Sequence, residues 1–284
     1  MARHRPSFPR NVAIAAFATV LALFAVTPVR AMTAPPPVGK FVTKCTLSHE
    51  LTDDPIVKPK QPGASHLHDF FGNTTTNAAT TLRSLNSGNT TCENPKDLSA
   101  YWAPALRFGG KPVLPTLVTV YYTNAGKDPR TIETIPPGFR VVAGDAMATA
   151  PQSEKIVNWD CGHYGSRTGP VPPPCPSGHL ELQVNFPDCW NGRDLDSSDH
   201  KSHAAYHLRD RSCPSGYPVP IPGVRVIVRY PTVGGPNVTL ASGAAFTGHA
   251  DFFNAWVPTE LDRLVKLCIN TSRRCNPQGD IVSP

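Results

Sequence analysis

The sequence predicts a mainly β fold: an antiparallel β-sandwich or jelly-roll-like single domain with long proline-rich loops, a short C-terminal helix and disulfide bonds. Three observations favour this class. At least six segments have the alternating or β-branched pattern of strands, the segments between them are rich in proline, and one segment alone has helical periodicity. Strands that follow one another without intervening helices argue against a parallel sheet.

The N-terminal residues 1–31 have the pattern of a secretory signal peptide. Arg3, Arg5 and Arg10 form its basic region, and the apolar run 12–26 follows. We expect cleavage after Ala31, and hence a secreted protein. An uncleaved membrane anchor is the alternative, although the apolar run is shorter than the roughly 20 residues that a membrane span needs.

The remaining chain is expected to be one domain with little net charge. Residues 32–40 form a proline-rich lead-in, and no linker divides residues 41–284. After the leader, 23 basic and 21 acidic residues remain, a net charge of +2 in place of the +6 of the full chain. Without a basic stripe we expect no binding to nucleic acid. We also expect a monomer without a membrane span once the leader is removed.

Seven segments have strand patterns, and several alternate between apolar and polar residues. They span residues 41–48, 116–123, 139–142, 156–160, 180–186, 224–230 and 238–240. The segment 259–269 predicts a helix, which Thr259 and Asp262 are placed to cap. Residues 73–94 are rich in Asn, Thr and Ser and predict a long surface loop.

All eight cysteines follow the leader, and an even number in an exported chain indicates disulfide bonds. Short loops favour Cys161–Cys175, Cys189–Cys213 and Cys268–Cys275, which leaves Cys45–Cys92. Zinc binding by cysteines is the alternative, but no Cys-x-x-Cys pair occurs.

Histidines and aspartates concentrate in three motifs, and they support a first hypothesis of acid–base catalysis. A hydrolase or lyase that acts on polysaccharide commonly uses two carboxylates, and histidine is an alternative acid or base. The catalytic candidates are Asp69, Asp199, His200, His203 and Asp251. Tryptophan faces suit sugar rings, so the candidates for substrate binding are Trp102, Trp190 and Trp256, together with His179 on the polar face of its strand. The alternative is that the tryptophans belong to the core.

A second hypothesis is a metal site. On a strand, His66 and His68 face the same side, where both imidazoles could bind one zinc or copper ion. His203 and His249 are further candidate ligands. The alternative is a histidine pair that only hydrogen-bonds neighbouring loops.

A third hypothesis is a non-catalytic module that binds extracellular glycan or the cell wall through the same aromatic residues. A serine hydrolase is disfavoured because no Gly-x-Ser-x-Gly motif occurs. The leading interpretation is a secreted carbohydrate-active enzyme with a cleft rich in His and Asp.

The motifs that hold these candidates also resemble a known family. They are HLHDFFGN (66–73), SAYWAPAL (99–106), FPDCWNGRDLDSSDHKSH (186–203), CPSGYPVPIP (213–222) and GHADFFNAW (248–256). Together they resemble the DUF1996 family, a secreted domain of unknown function. The resemblance implies an extracellular domain and supplies no catalytic residue.

Overall fold

The computed structural model describes residues 1–2, 38–162 and 168–283. The predicted signal peptide (1–31), apart from its first two residues, and most of the lead-in (32–40) lie outside the described residues. Within the described ranges, no helix is long and apolar enough to cross a bilayer.

The described chain folds mostly into strands, numbered here in chain order. They are β1 (Lys40–Cys45), β2 (Leu47–Leu51), β3 (His68–Gly72), β4 (Ala100–Pro104), β5 (Leu106–Phe108), β6 (Lys111–Val113), β7 (Leu117–Thr123), β8 (Arg140–Gly144), β9 (Val157–Asp160), β10 (Leu180–Asn185), β11 (Cys189–Trp190), β12 (Ala204–Ala205), β13 (Val219–Pro220), β14 (Gly223–Tyr230), β15 (Val238–Leu240), β16 (Gly243–Ala244), β17 (His249–Phe253), β18 (Arg274–Cys275) and β19 (Ile281–Ser283). Two short helices accompany them, α1 (Leu82–Asn86) and α2 (Pro258–Leu264). The mainly β prediction is confirmed.

The largest sheet has seven strands in the order β19-β18-β1-β7-β14-β10-β9, and only the pair β1–β18 is parallel. One face packs on the core, so β7 alternates between buried and half-buried residues. The same alternation in the sequence makes these strands predictable. The predicted segments 116–123, 180–186 and 224–230 match β7, β10 and β14, respectively, to within one residue at one end.

A second sheet has five antiparallel strands in the order β2-β3-β4-β17-β8. All residues of β3, β4 and β17 are buried, because both faces of this sheet are covered. Two smaller sheets have the orders β16-β15-β5-β6 and β12-β11-β13.

The two large sheets pack face to face around one hydrophobic core. Phe41 of β1 stacks on Tyr122 of β7 with ring centroids 4.6 Å apart, and Tyr101 of β4 stacks on Phe252 of β17 at 5.2 Å. Tyr122 and Phe252 meet edge to face, so the aromatic residues of both sheets form one cluster. This is the predicted antiparallel sandwich.

The other face of the five-stranded sheet carries a second apolar cluster, which includes Phe70, Trp102 and Phe253. Leu85 of α1 is fully buried in this cluster. The prediction of a surface loop over 73–94 is therefore wrong at its centre. Its polar residues supply the cap of α1, where Thr81 and Ser84 bond each other's backbone N–H groups.

Helix α2 confirms the predicted C-terminal helix, but its start differs from the prediction. Pro258 occupies the first turn, and no side chain caps the helix. Asp262 instead pairs with Lys266 one turn later, at 2.7 Å. The helix continues as a π-helical turn over Val265–Ile269.

Four disulfide bonds join the pairs that the sequence favours: Cys45–Cys92, Cys161–Cys175, Cys189–Cys213 and Cys268–Cys275. Cys45 ends β1 in the seven-stranded sheet, and Cys92 follows Thr91, whose N–H donates to the carbonyl of Gly72 at the end of β3. The first bond therefore links the end of β1, in the seven-stranded sheet, to the segment that bonds the end of β3 in the five-stranded sheet.

Candidate functional site

Two histidines of the five-stranded sheet face the same side. His68 begins β3 and pairs with Pro104 of β4, whereas His249 begins β17 on the opposite flank of β4. Asp251 pairs with Trp102, two residues before Pro104, so it faces the same side as both histidines. This side is the outer one, away from the packed seven-stranded sheet.

Three imidazoles come together at this position. The ring centroid of His66 lies 4.2 Å from that of His68 and 5.0 Å from that of His249, and the last two rings are 5.8 Å apart. Nε2 of His66 is 3.1 Å from Nε2 of His249. One ligand atom from each of the three rings lies within 4.8 Å of the others.

Hydrogen bonds fix which nitrogen of two rings points into the site. Nδ1 of His68 donates to the carbonyl of Asp53 at 3.0 Å, and Nδ1 of His249 donates to the carbonyl of Thr247 at 2.9 Å. A carbonyl only accepts, so the proton of each neutral ring is on Nδ1 and the lone pair is on Nε2. Metal-binding histidines are commonly oriented in this way.

Burial keeps these rings neutral. His68 and His249 are 0% and 3% exposed. Burial lowers the pKa of His249 to about 4 and that of His68 well below its usual value, and the neighbouring His66 lowers both further. A neutral imidazole is the form that binds metal ions.

Two buried carboxylates, Asp54 and Asp251, complete the cluster. One atom each of Asp54, His68 and Asp251 lie within 4.8 Å of one another. Oδ1 of Asp54 accepts from the N–H groups of Ile56 and Val57, at 2.9 and 2.8 Å. Burial raises the pKa of both carboxyl groups, and that of Asp251 well above its usual value.

Several buried polar atoms of this cluster have no hydrogen-bond partner within the described residues. They are Nε2 of His68 and both carboxylate oxygens of Asp251. Buried groups of this kind are normally satisfied, since an unpaired one costs about 1–3 kcal/mol. One ligand atom of His68 lies within 4.8 Å of one atom each of Asp251 and Asp54, and within 4.8 Å of one each of His66 and His249, so His68 belongs to both groups of possible metal ligands.

Another group with metal-ligand spacing, formed by Cys45, Cys92 and Asp97, has a different explanation. Its two cysteines form a disulfide bond and have no thiolate to offer. Asp97 accepts from the hydroxyl of Tyr101 at 2.9 Å and belongs to the hydrogen-bonded core.

The polar segment 194–203 runs along β8, the edge strand beside His249. The carbonyl of His200 accepts from the N–H of Val142 at 3.0 Å, and Nζ of Lys201 donates to the carbonyl of Gly144 at 2.6 Å. His200 has a left-handed backbone with φ of 58°, a conformation that non-glycine residues adopt at a cost. Its Nδ1 lies 2.9 Å from a carboxylate oxygen of Asp196, and a positive charge on its ring would lower the pKa of Asp54.

His203 lies outside the cluster, contrary to the predicted ligand set. Its ring is 1% exposed and packs against Phe139 with centroids 5.0 Å apart. Its Nδ1 lies 2.9 Å from the hydroxyl of Ser197. Asp199 is exposed, accepts from Ser197 and Ser202, and is thereby held ionised with a lowered pKa.

The three aspartates proposed for catalysis do not share one cleft. Asp69 pairs with Ala103 and Asp251 pairs with Trp102. Ala103 and Trp102 are consecutive residues of β4, so the two carboxylates project from opposite faces. Asp69 lies on the inner face, where burial and the nearby Glu50 carboxylate raise its pKa to about 8.

The tryptophans proposed for sugar stacking are mostly unable to do so. Trp102 and Trp256 are each 1% exposed and belong to the two hydrophobic clusters. Trp190 is half-buried, and its Nε1 donates to the carbonyl of Asp194 at 2.6 Å. His179 is exposed and does not belong to the histidine cluster. The stacking prediction is corrected for Trp102 and Trp256, whose faces are covered by the core.

One residue of the cluster, Asp54, was not a candidate in the sequence. It precedes Pro55 in a segment whose three prolines only indicate turns. No local signal distinguishes such an aspartate from a turn residue, because its partners are distant in the chain.

A comparison with protein families matches residues 54–256, well over half of the chain, to the model described as "Domain of unknown function (DUF1996)". The searches of curated proteins and of solved structures gave no match.

Proposed function

This chain belongs to the DUF1996 family, a domain of unknown function, and we propose that it is a secreted protein that binds one zinc or copper ion through Nε2 of His66, His68 and His249. Asp251 would supply a fourth ligand. The observation that carries the proposal is that one ligand atom each of His66, His68 and His249 lie within 4.8 Å of one another, while His68 is grouped in the same way with the buried carboxylate of Asp251, which has no partner within the described residues.

A purely structural role for the histidines explains less. A hydrogen bond between His66 and His249 would account for their 3.1 Å contact. It would leave Nε2 of His68 and both oxygens of Asp251 buried without partners in the described part of the chain. A cation bound between His68 and Asp251 would give these atoms a partner, and it would also offset the cost of burying a charge on Asp251.

The donor set favours zinc or copper. Imidazole nitrogens with one carboxylate and no thiolate suit both ions. With Zn–N distances of about 2.0–2.1 Å, two ligand nitrogens of a tetrahedral zinc lie about 3.3 Å apart. The 3.1 Å between Nε2 of His66 and Nε2 of His249 is close to that edge length.

Elemental analysis of the protein purified without a histidine tag tests the proposal. We expect about one zinc or copper per chain in the wild type, and a loss of at least about tenfold in metal affinity in His68→Ala and His249→Ala. His203→Ala is the matched control, because His203 is equally buried but lies outside the cluster. Equal metal content in His68→Ala and the wild type would refute the proposed ligand set.

A second candidate function is hydrolysis that depends on this metal, with His200 as acid or base. The favouring observation is the strained backbone of His200, whose Nδ1 lies 2.9 Å from a carboxylate oxygen of Asp196 that orients the ring. A cleft of about 240 Å³, lined in part by Gly144, Asp145 and Lys201, lies beside the strand that pairs with His249.

Hydrolysis of p-nitrophenyl acetate by the zinc-loaded protein tests the second candidate. We expect His200→Asn to slow the metal-dependent rate about 100-fold while the metal content stays unchanged. Asn tolerates the left-handed backbone, so the substitution preserves the fold. His179→Asn, an exposed histidine elsewhere, should match the wild type. An unchanged rate in His200→Asn, or no metal-dependent hydrolysis, would exclude this role.

The proposal of an extracellular location rests on the leader pattern and on the disulfide bonds. Four disulfide bonds within the described residues are typical of proteins from oxidising compartments.

A further inference from the structure

The outward face of the seven-stranded sheet carries a group of cations around one tyrosine. Lys40 pairs with Arg274 of β18, and Tyr121 of β7 pairs with Arg225 of β14. Their neighbours in sequence, such as Phe41, are buried in the core, so these four residues project outward. Lys40, Tyr121, Arg225 and Arg274 are here called the cationic face.

The three cations of this face have no directly contacting carboxylate among the described residues. None of them forms an ion pair within the described residues, whereas Arg229 of the same sheet is paired with Glu181 at 2.5 Å. Burial lowers the pKa of Lys40, and repulsion from Arg274 and Arg225 lowers it further. The Asp160 carboxylate acts on Arg225 from a distance, but the mutual repulsion of the three cations still costs free energy, and a bound anion would relieve that cost.

The face also offers an aromatic ring and donor groups. Nζ of Lys40 lies 5.1 Å from the centroid of the half-buried Tyr121 ring. Nε of Arg225 donates to Asn185 at 2.6 Å, which holds the guanidinium over the sheet. A guanidinium matches a carboxylate with two parallel hydrogen bonds.

We propose that the cationic face binds an anionic polysaccharide whose sugars carry carboxylates. Arg274, Lys40 and Arg225 lie on strands β18, β1 and β14, which span three inter-strand steps or about 14 Å. An extended chain laid across the strands would meet these cations in turn, with the Tyr121 ring between Lys40 and Arg225. After the predicted leader the chain has a net charge of only +2. Nucleic-acid-binding proteins usually have a much more basic surface, so a carboxylated glycan is the better match for this local group of cations.

This inference is independent of the metal site, which lies on the other large sheet. A glycan is thus again the proposed partner, but it would bind the cationic face and not the tryptophans, two of which are buried.

Affinity electrophoresis in polygalacturonate gels tests the proposal, with neutral dextran as the comparison. We expect the wild type to be retarded by polygalacturonate but not by dextran, and retardation to weaken as salt is added. The triple variant Lys40→Gln/Arg225→Gln/Arg274→Gln should lose affinity by about tenfold or more. The matched control, Lys58→Gln/Arg83→Gln/Lys111→Gln, removes the same charge from residues outside this sheet and should bind like the wild type.

Three results would overturn the proposal: equal retardation of the triple variant, equal retardation by dextran, or tighter binding to duplex DNA or to vesicles of phosphatidylglycerol. Should the triple variant fail to fold, the single change Arg274→Gln at an exposed position still has to weaken binding. Metal content should be unchanged in all of these variants, so failure of this inference is distinguishable from failure of the metal site.

Discussion

Removal of the ion with a chelator is expected to lower the melting temperature of the metal-loaded protein by about 10 °C. An ion present at about a thousandfold excess over its Kd stabilises the native state by about 4 kcal/mol, and each kcal/mol shifts the Tm of a domain of this size by about 2–4 °C. The ligands come from β17, from the start of β3 and from the segment before it, so the unfolded chain lacks the site. A thermal scan with and without chelator measures the difference.

Re-addition of zinc or copper should restore the original Tm. The variant His249→Ala provides the control, because its Tm should not respond to chelator or to metal. A wild-type Tm that is the same in both conditions, or a variant that still responds, would contradict binding at these histidines.

Loss of the Cys45–Cys92 bond is expected to lower the free energy of unfolding by about 4 kcal/mol. The bond closes a loop with a sequence separation of 47 and links the end of β1 to the segment beside the end of β3, so it joins the two large sheets. A longer closed loop restricts the unfolded chain more strongly. Urea denaturation of Cys45→Ala/Cys92→Ala measures the change.

The Cys268–Cys275 bond provides the internal comparison, since its sequence separation is only 7. For Cys268→Ala/Cys275→Ala we expect a loss of about 2 kcal/mol. Equal losses for the two double variants would argue that local packing, rather than loop length, governs the contribution of these bonds.

The sequence predicts the seven-stranded sheet better than the five-stranded one for a physical reason. Strands such as Leu117–Thr123 and Gly223–Tyr230 bury one face, and their residues alternate accordingly. Strands such as Ala100–Pro104 bury both faces, which removes the alternation. Helix α1, which helps to cover this sheet, lies in the polar connection between β3 and β4, whose composition predicts a surface loop.

The site was partly predictable from spacing. His66 and His68 are two residues apart, and in an extended segment that spacing places both imidazoles on one face. The position of each aspartate relative to its neighbouring histidine decides whether its carboxylate faces the site. Asp251 follows His249 by two residues and faces the site, whereas Asp69 follows His68 by one residue and does not. A shift of one residue moves a side chain to the opposite face of a sheet. The exclusion of His203 depends on tertiary packing alone.

Anomalous diffraction from crystals of the untagged protein, collected at the zinc and copper absorption edges, tests the central claim most directly. We expect one peak about 2.0–2.2 Å from Nε2 of His66, His68 and His249 and from an oxygen of Asp251. A metal-free cluster, with His66 hydrogen-bonded directly to His249, or a peak held by other residues, would contradict it.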